Sequence, residues 1–109
     1  MLVRIVKMTF DKNKISDFQA SFHSIKDKII GFNGCEFLEL YQDRNNACVF
    51  FTYSHWASEA DLNNYRKSAF FKEVWAKTKT MFSEEPIAWS VDKIAGMRKN
   101  TVNRNHETN

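Results

Sequence analysis

The sequence predicts a single α+β domain in which helices cover one face of an antiparallel β-sheet. Three observations lead to this fold class. The chain has 109 residues, which suits one domain. Its 43 % hydrophobic and 15 % aromatic content supplies the material for a core. Segments with the periodicity of strands and of helices alternate along it.

The N-terminal third predicts a strand followed by a helix. Leu2 to Phe10 mixes β-branched and other apolar residues and is typical of a strand. Apolar side chains then recur at intervals of three and four, which places them on one face of a helix that ends near Ile30. These side chains are Ile15, Phe18, Phe22, Ile25 and Ile29. We expect Gly31 to end the helix in the left-handed conformation.

The middle of the chain predicts a β-hairpin. Strands from Cys35 to Gln42 and from Cys48 to His55 flank the turn-rich segment 43–46. A turn there pairs positions whose numbers sum to 89. This register would separate the sulfurs of Cys35 and Cys48 by roughly 20 Å along the ladder, at about 3.3 Å per residue, so we expect reduced thiols.

The second half predicts helical structure and a last strand. Ser58-Glu59-Ala60-Asp61 has the form of a capping box, and Ser68 is expected to cap a second helical segment. One face of that segment carries Phe71, Val74, Trp75, Thr78, Met81 and Phe82. Pro86 is expected to end the helix and to open a strand from Ile87 to about Ile94. The resulting order of elements, βαββαβ, is that of the ferredoxin-like fold.

The predicted hairpin register makes both faces of the sheet apolar. One face would carry Leu38, Leu40, Val49, Phe51 and Tyr53, and the other Cys35, Phe37, Tyr41, Cys48 and Phe50. An antiparallel sheet with one face in water alternates apolar with polar residues, and two helices cover only one side. We therefore expect a homodimer that packs sheet against sheet.

Charge and hydropathy bear on possible partners. Residues 1–92 hold 12 basic and 12 acidic side chains, so the net charge of +3 comes from the C-terminal end. We expect a domain over residues 1–94 and a solvated, basic tail over 95–109, with a nucleic-acid-binding arm as the alternative interpretation of the tail. Since the longest apolar run has five residues and Arg4 and Lys7 interrupt the N-terminus, we expect a cytoplasmic protein with neither a nucleic-acid nor a membrane partner.

The residues that could form a functional site are mainly aromatic. Three glycines cannot form a nucleotide-binding loop, HExxH and CxxC motifs do not occur, and the three histidines lack metal-ligand spacing, so no metal or cofactor is expected. An aromatic group lies at the end of the third strand and on the segments that follow it: Tyr53, His55, Trp56, Tyr65, Phe70, Phe71 and Trp75. Such a lining suits a flat, apolar ligand, although core packing is the alternative for Phe71 and Trp75 and a rim position is the alternative for His55.

Several segments resemble the antibiotic biosynthesis monooxygenase family over residues 1–94. They are the first strand, the Gly34-Cys35 step, Phe51-Thr52-Tyr53-Ser54-His55-Trp56-Ala57-Ser58, Tyr65-Arg66-Lys67-Ser68-Ala69-Phe70-Phe71 and Pro86-Ile87-Ala88-Trp89. The resemblance implies a dimeric ferredoxin-like α+β barrel. In enzymatic members it also implies cofactor-free oxygenation of anthrone- or quinol-like aromatics.

The resemblance also assigns positions. The pocket Asn, Trp and Tyr of anthrone-oxidising relatives fall at Thr52, Trp56 and Leu62, where only the Trp matches. The Asn, Trp and His of haem-degrading relatives fall at Val6, Tyr65 and Trp75, where none matches. The haem-degrading reaction is therefore disfavoured.

The leading hypothesis is a homodimeric monooxygenase that acts on a small aromatic substrate without a cofactor. His55 would assist proton removal and Tyr65 would orient the ring, which makes these the catalytic candidates. The substrate-binding candidates are Tyr53, Trp56, Phe71 and Trp75. The alternative hypothesis is a non-catalytic dimeric module that binds a hydrophobic metabolite.

Overall fold

The computed structural model describes residues 1–99 and has the predicted βαββαβ order, with the second helix divided in two. A short 3-10 helix, Lys12–Lys14, precedes the first α-helix. The elements are β1 (Leu2–Phe10), α1 (Ile15–Ile30), β2 (Cys35–Gln42), β3 (Val49–Trp56), α2 (Glu59–Lys67), α3 (Ala69–Lys79) and β4 (Phe82–Asp92). None of these helices is long and apolar enough to cross a membrane. Residues 93–99 have no regular structure, and the rest of the predicted tail, 100–109, lies outside the described residues.

The four strands form one antiparallel sheet in the order β2-β3-β1-β4. Strands β1 and β3, which are adjacent in the sheet but not consecutive in the sequence, occupy its centre. The helices lie on one side. This is the ferredoxin-like α+β arrangement that the order of elements predicts.

The predicted hairpin register is wrong by three positions. Leu38 pairs with Ser54 and Leu40 with Thr52, so paired numbers sum to 92 and not to 89. The turn extends to Cys48, because the Asp43 carboxylate accepts hydrogen bonds from two backbone N–H groups within it, at 2.7 and 3.1 Å. The connection is therefore longer than a four-residue turn, and β3 starts one residue later than predicted.

Because side chains alternate along a strand, a register shift by an odd number of residues moves the side chains of β3 to the opposite face relative to those of β2. Phe50, predicted on the same face as Phe37 and Tyr41, lies on the opposite face under the helices and is only 1 % exposed. Phe51 and Tyr53, predicted on the same face as Leu38, lie on the outer face. Cys35 is buried in the core under the helices, and not on the outer face. Both cysteines are free thiols, although Cys48 is only half-buried.

The last strand begins earlier than predicted. Helix α3 ends at Lys79 and β4 begins at Phe82, so Pro86 lies inside a strand and does not end a helix. A proline is tolerated here because β4 is an edge strand, and the pairing with β1 shifts register beside it. The strand ends at Asp92, two residues before the predicted Ile94.

Phenylalanine rings form the centre of the core. Phe10 is fully buried, and its ring centroid lies 4.0 Å from that of Phe18, 5.2 Å from Phe82 and 5.7 Å from Phe50. Helix α1 thus docks its predicted apolar face on β1 and β3. Contacts of this kind combine burial of large apolar surface with favourable ring geometry.

The two glycines after α1 have different conformations from those expected. Gly31 has φ −77°, a right-handed value, so the prediction of a left-handed helix end at Gly31 is wrong. Gly34 has φ +86°, the conformation that side chains rarely adopt, and a Cβ there would collide with the side chain of Asp61. Asp61 is held in place because its carboxylate accepts a hydrogen bond from the Ser58 hydroxyl at 3.0 Å. Its backbone N–H donates to the same hydroxyl at 3.1 Å, which is the bond that the capping box predicts.

We expect Gly34→Ala to lower the free energy of unfolding by about 1–3 kcal/mol. The strain of a positive φ and the collision of the new Cβ with Asp61 both destabilise the folded state. Gly31→Ala is the matched control and is expected to stay within about 1 kcal/mol of the wild type, since alanine adopts its φ without strain. Urea unfolding of the three proteins measures both values. Equal losses in the two variants would contradict this account of the α1–β2 connection.

Candidate functional site

A cavity of about 320 Å³ lies between the sheet and the helices. The sheet contributes side chains that point to the helical side, among them Val6, Thr52, Ser54, Trp56 and Ala88. Helices α1, α2 and α3 contribute the opposite wall, including Phe22, Ile25, Tyr65, Phe71, Val74 and Trp75. The volume falls within the range of sites that hold small organic molecules.

Four aromatic side chains form a continuous wall of the cavity. Trp56 and Tyr65 stack with ring centroids 5.1 Å apart and planes 27° apart. Tyr65 meets Phe71 edge-on at 5.0 Å, and Phe71 stacks on Trp75 at 5.9 Å. We call these four residues the aromatic wall. They are four of the six candidates that the sequence predicts, and the structure brings them together.

Trp56 is the fixed end of the aromatic wall. Its side chain is 1 % exposed, and its indole Nε1 donates a hydrogen bond to Ser54 Oγ at 3.0 Å. Ser54 lies two residues earlier in β3 and therefore on the same face of the sheet. The bond provides a partner for the buried indole N–H, and we infer that it sets the plane of the ring.

Ser68 positions the other rings. Its hydroxyl donates to the carbonyl oxygen of Tyr65 at 2.6 Å and accepts from the backbone N–H of Phe71 at 3.1 Å. It therefore ends α2 and begins α3 at the same point, as its predicted role as a cap requires. The resulting break between the helices places Tyr65 and Phe71 edge to face.

The Tyr65 hydroxyl is neutral in the folded protein. Burial raises its pKa above the ordinary value, and the neighbouring Cys35 thiol acts in the same direction. A neutral phenol can donate one hydrogen bond to a ligand oxygen but is a poor base near pH 7. Tyr65 is therefore suited to orient a ligand.

Two arginines also line the cavity, Arg4 from β1 and Arg66 from α2. Arg4 is half-buried, and its guanidinium donates to Ser90 Oγ at 2.9 Å. Burial and, to a smaller extent, the nearby Arg66 lower the pKa of Arg4. Neither arginine was predicted from the sequence as a site residue. The signal that could have identified Arg4 is a charged residue in an apolar strand, at a position that faces the helices.

Tyr53 and His55 lie elsewhere. Because successive side chains of β3 point to opposite faces, both residues are on the outer face of the sheet while Trp56 is in the cavity. His55 stacks on Phe37 at 4.8 Å and meets Tyr53 edge-on at 5.1 Å. Its Nε2 atom is buried without a hydrogen-bond partner in the described residues. The structure thus does not bring these two candidates together with the aromatic wall.

The positions assigned by resemblance converge on the cavity. Thr52, Trp56 and Leu62, the positions of one group of relatives, all line it, and so do Val6, Tyr65 and Trp75, the positions of the other. Among residues 1–99 no group of three His, Cys, Asp or Glu side chains is arranged to hold a metal ion.

Comparison with known proteins identifies related chains. The family model described as antibiotic biosynthesis monooxygenase matches residues 1–77. No curated protein sequence matches the chain significantly.

Three solved structures illustrate the likeness of the fold. A conserved protein of Methanosarcina mazei Go1 has a TM-score of 0.79 at 21 % identity, covering 85 % of this chain and 93 % of that one. A protein described as an antibiotic biosynthesis monooxygenase has a TM-score of 0.81 at 15 % identity, with coverage of 87 % and 100 %. A Mycobacterium tuberculosis protein has a TM-score of 0.80 at 12 % identity, with coverage of 89 % and 98 %. At these identities the likeness establishes the shared fold.

We expect Tyr65 to make the stability of the protein sensitive to alkaline pH. Its pKa is higher in the folded than in the unfolded state, so its contribution is fully present below about pH 10 and is lost as pH rises further. The free energy of unfolding, measured with urea between about pH 9 and 11, should therefore fall more steeply for the wild type than for Tyr65→Phe. Parallel curves would show that the hydroxyl is not buried as described.

Proposed function

The chain belongs to the antibiotic biosynthesis monooxygenase family, and we propose that it oxygenates a small, electron-rich aromatic substrate in its cavity without a cofactor. The observation that carries the proposal is the aromatic wall along a mainly apolar cavity of about 320 Å³. Stacked rings of this kind offer a flat substrate a large contact area.

The proposed reaction needs only the substrate and O₂. The deprotonated substrate transfers one electron to O₂, the resulting radicals combine to form a C–O bond, and the peroxide takes up a proton. Loss of water from the hydroperoxide leaves a carbonyl group where the substrate had a methylene group. One oxygen atom enters the product and the other leaves as water, so no external reductant is required.

The residues of the cavity have separate roles in this proposal. Phe71 and Trp75 hold the substrate ring, and the buried Trp56 supports the ring of Tyr65 by stacking on it. The neutral Tyr65 hydroxyl donates to a substrate oxygen. A substrate ring bound against the apolar lining displaces water from that part of the cavity. Because His55 lies on the outer face of the sheet, the proposal gives it no part in proton removal.

We also propose that the protein is a homodimer that packs through the outer face of the sheet. Helices cover the opposite face, whereas large apolar side chains on the outer face remain 37–49 % exposed. These are Phe37, Tyr41, Ile87, Trp89 and Val91. A contiguous apolar surface of this kind is typical of an interface, and a second copy would cover it with an identical surface. His55 would then be buried between subunits.

The alternative function is binding of a hydrophobic metabolite without turnover. What favours it is the lining of the cavity, which contains no His, Asp, Glu or Lys side chain to act as a general base. Such a protein would be stabilised by its ligand against thermal unfolding and would consume no oxygen.

We expect the protein to consume O₂ with anthrones, quinols or catechols, at one O₂ per molecule of anthrone converted to quinone. An oxygen electrode measures the rate, and ¹⁸O₂ should label one atom of the product. Tyr65→Phe should lower the rate about tenfold or more, because a hydrogen bond to a charged substrate oxygen is lost. His55→Gln, on the outer face, should retain the rate. Thermal stabilisation by these compounds without oxygen uptake would support the binding module, and loss of turnover in His55→Gln alone would contradict the roles proposed here.

We expect Trp89→Lys to convert the dimer into a monomer, because a charge would be buried in an apolar interface. Ile30→Lys is the matched control, since Ile30 is similarly exposed, at 41 % compared with 43 %, but lies at the end of α1. Light scattering coupled to size-exclusion chromatography measures the mass. A monomeric wild type at micromolar concentration would refute the proposed assembly.

A further inference from the structure

We propose that Arg4 and Arg66 make the cavity selective for an anion, so that the ligand is a flat aromatic molecule with an ionised oxygen. This inference rests on the proposed function and adds the chemical class of the substrate. The anionic group is a phenolate, an enolate or a carboxylate, which share two or more lone pairs on a charged oxygen.

The charges around the cavity are of one sign. Its twenty lining residues include two arginines, and acidic side chains do not occur among them. Within the part of the chain that the structure describes, the one ion pair joins Lys14 to Asp17, so neither Arg4 nor Arg66 is neutralised by a carboxylate. The positive charge at the cavity is therefore available to a ligand.

The two guanidinium groups occupy complementary places. Arg4 is half-buried in the middle of the sheet, where Ser54 and Ser90 pair with it on the two neighbouring strands. The bond to Ser90 uses one of its five N–H donors and leaves others for a ligand oxygen. Arg66 is exposed while it lines the cavity, which places it at the opening.

The apolar and cationic parts of the cavity together define the ligand. Fourteen of the twenty lining residues are aliphatic, aromatic non-phenolic, Met or Pro side chains, which favour a hydrocarbon ring system. A neutral polycyclic compound would leave the half-buried guanidinium group of Arg4 without an anionic partner. An aromatic oxyanion satisfies both parts.

The two arginines compensate for the lack of a general base in the cavity. Oxygenation requires a deprotonated substrate, and the lining contains no ordinary general base. Two nearby cations lower the pKa of a bound hydroxyl or activated methylene group, so that its proton passes to water at the opening. Arg4 and Arg66 would then act by stabilising the anion, and Tyr65 by donating to it.

The test compares charged and neutral probes of equal shape. The probes are 2-naphthoate and 2-naphthamide, and isothermal titration calorimetry gives both dissociation constants at low ionic strength. We expect 2-naphthoate to bind about tenfold or more tightly, and the double variant R4Q/R66Q to lose this preference while its affinity for 2-naphthamide is unchanged. Arg44→Gln removes the same charge from the exposed β2–β3 turn and should keep the preference.

A second arm distinguishes the two kinds of oxyanion. Absorbance titration of bound 2-naphthol gives the pKa of its hydroxyl group. A downward shift in the wild type that disappears in the double variant supports a phenolate or enolate, whereas preference for 2-naphthoate with no such shift supports a carboxylate ligand.

Several outcomes overturn the inference. Equal affinity for the two naphthalene probes, a preference that survives in R4Q/R66Q, or an equal loss in Arg44→Gln would each do so. If the double variant fails to fold by circular dichroism, Arg66→Gln alone carries the test, since this side chain is exposed and its loss should still weaken the preference. Binding of 2-naphthamide as tight as that of 2-naphthoate refutes this inference alone, and binding of neither probe refutes the proposed function as well.

Discussion

The pairing register of β3 is the constraint on which the structure depends. The strand is central in the sheet, and its side chains alternate between two different environments. Thr52, Ser54 and Trp56 point under the helices and line the cavity, whereas Tyr53 and His55 point to the opposite face. A shift of one residue would exchange these sets. The register therefore decides both which residues can contact a ligand and which can contact a second subunit.

The cavity persists because its walls are held by contacts that do not depend on filling it. The indole of Trp56 is hydrogen-bonded to Ser54, and Ser68 holds the backbone of both neighbouring helices. The phenylalanine core around Phe10 lies beside the cavity and supplies close packing of its own.

Much of the fold follows from local signals in the sequence, and the site follows only in part. Periodicity predicts β1, α1 and β2 with their observed bounds, and the hydroxyl caps Ser58 and Ser68 locate both later helices. Which side chains of β3 face the helices depends on the length of the preceding turn, and turn composition alone does not fix that length. Tyr53 and His55 were grouped with Trp56 for another reason: the predicted strand ended at His55, whereas β3 continues to Trp56 and its alternation separates them. The arginine pair was missed because charge was counted along the chain, whereas Arg4 and Arg66 line one cavity only in the folded structure.

The most direct test of the central claim uses the three tryptophans, which report on the two faces. Trp56 and Trp75 line the cavity, and Trp89 lies on the outer face of the sheet. Titration of ¹⁵N-labelled protein with 2-naphthoate, followed through the indole N–H signals in two-dimensional NMR, measures all three at once. The account predicts that the signals of Trp56 and Trp75 shift with ligand while that of Trp89 stays in place. A shift of Trp89 with unchanged signals from the other two would contradict it.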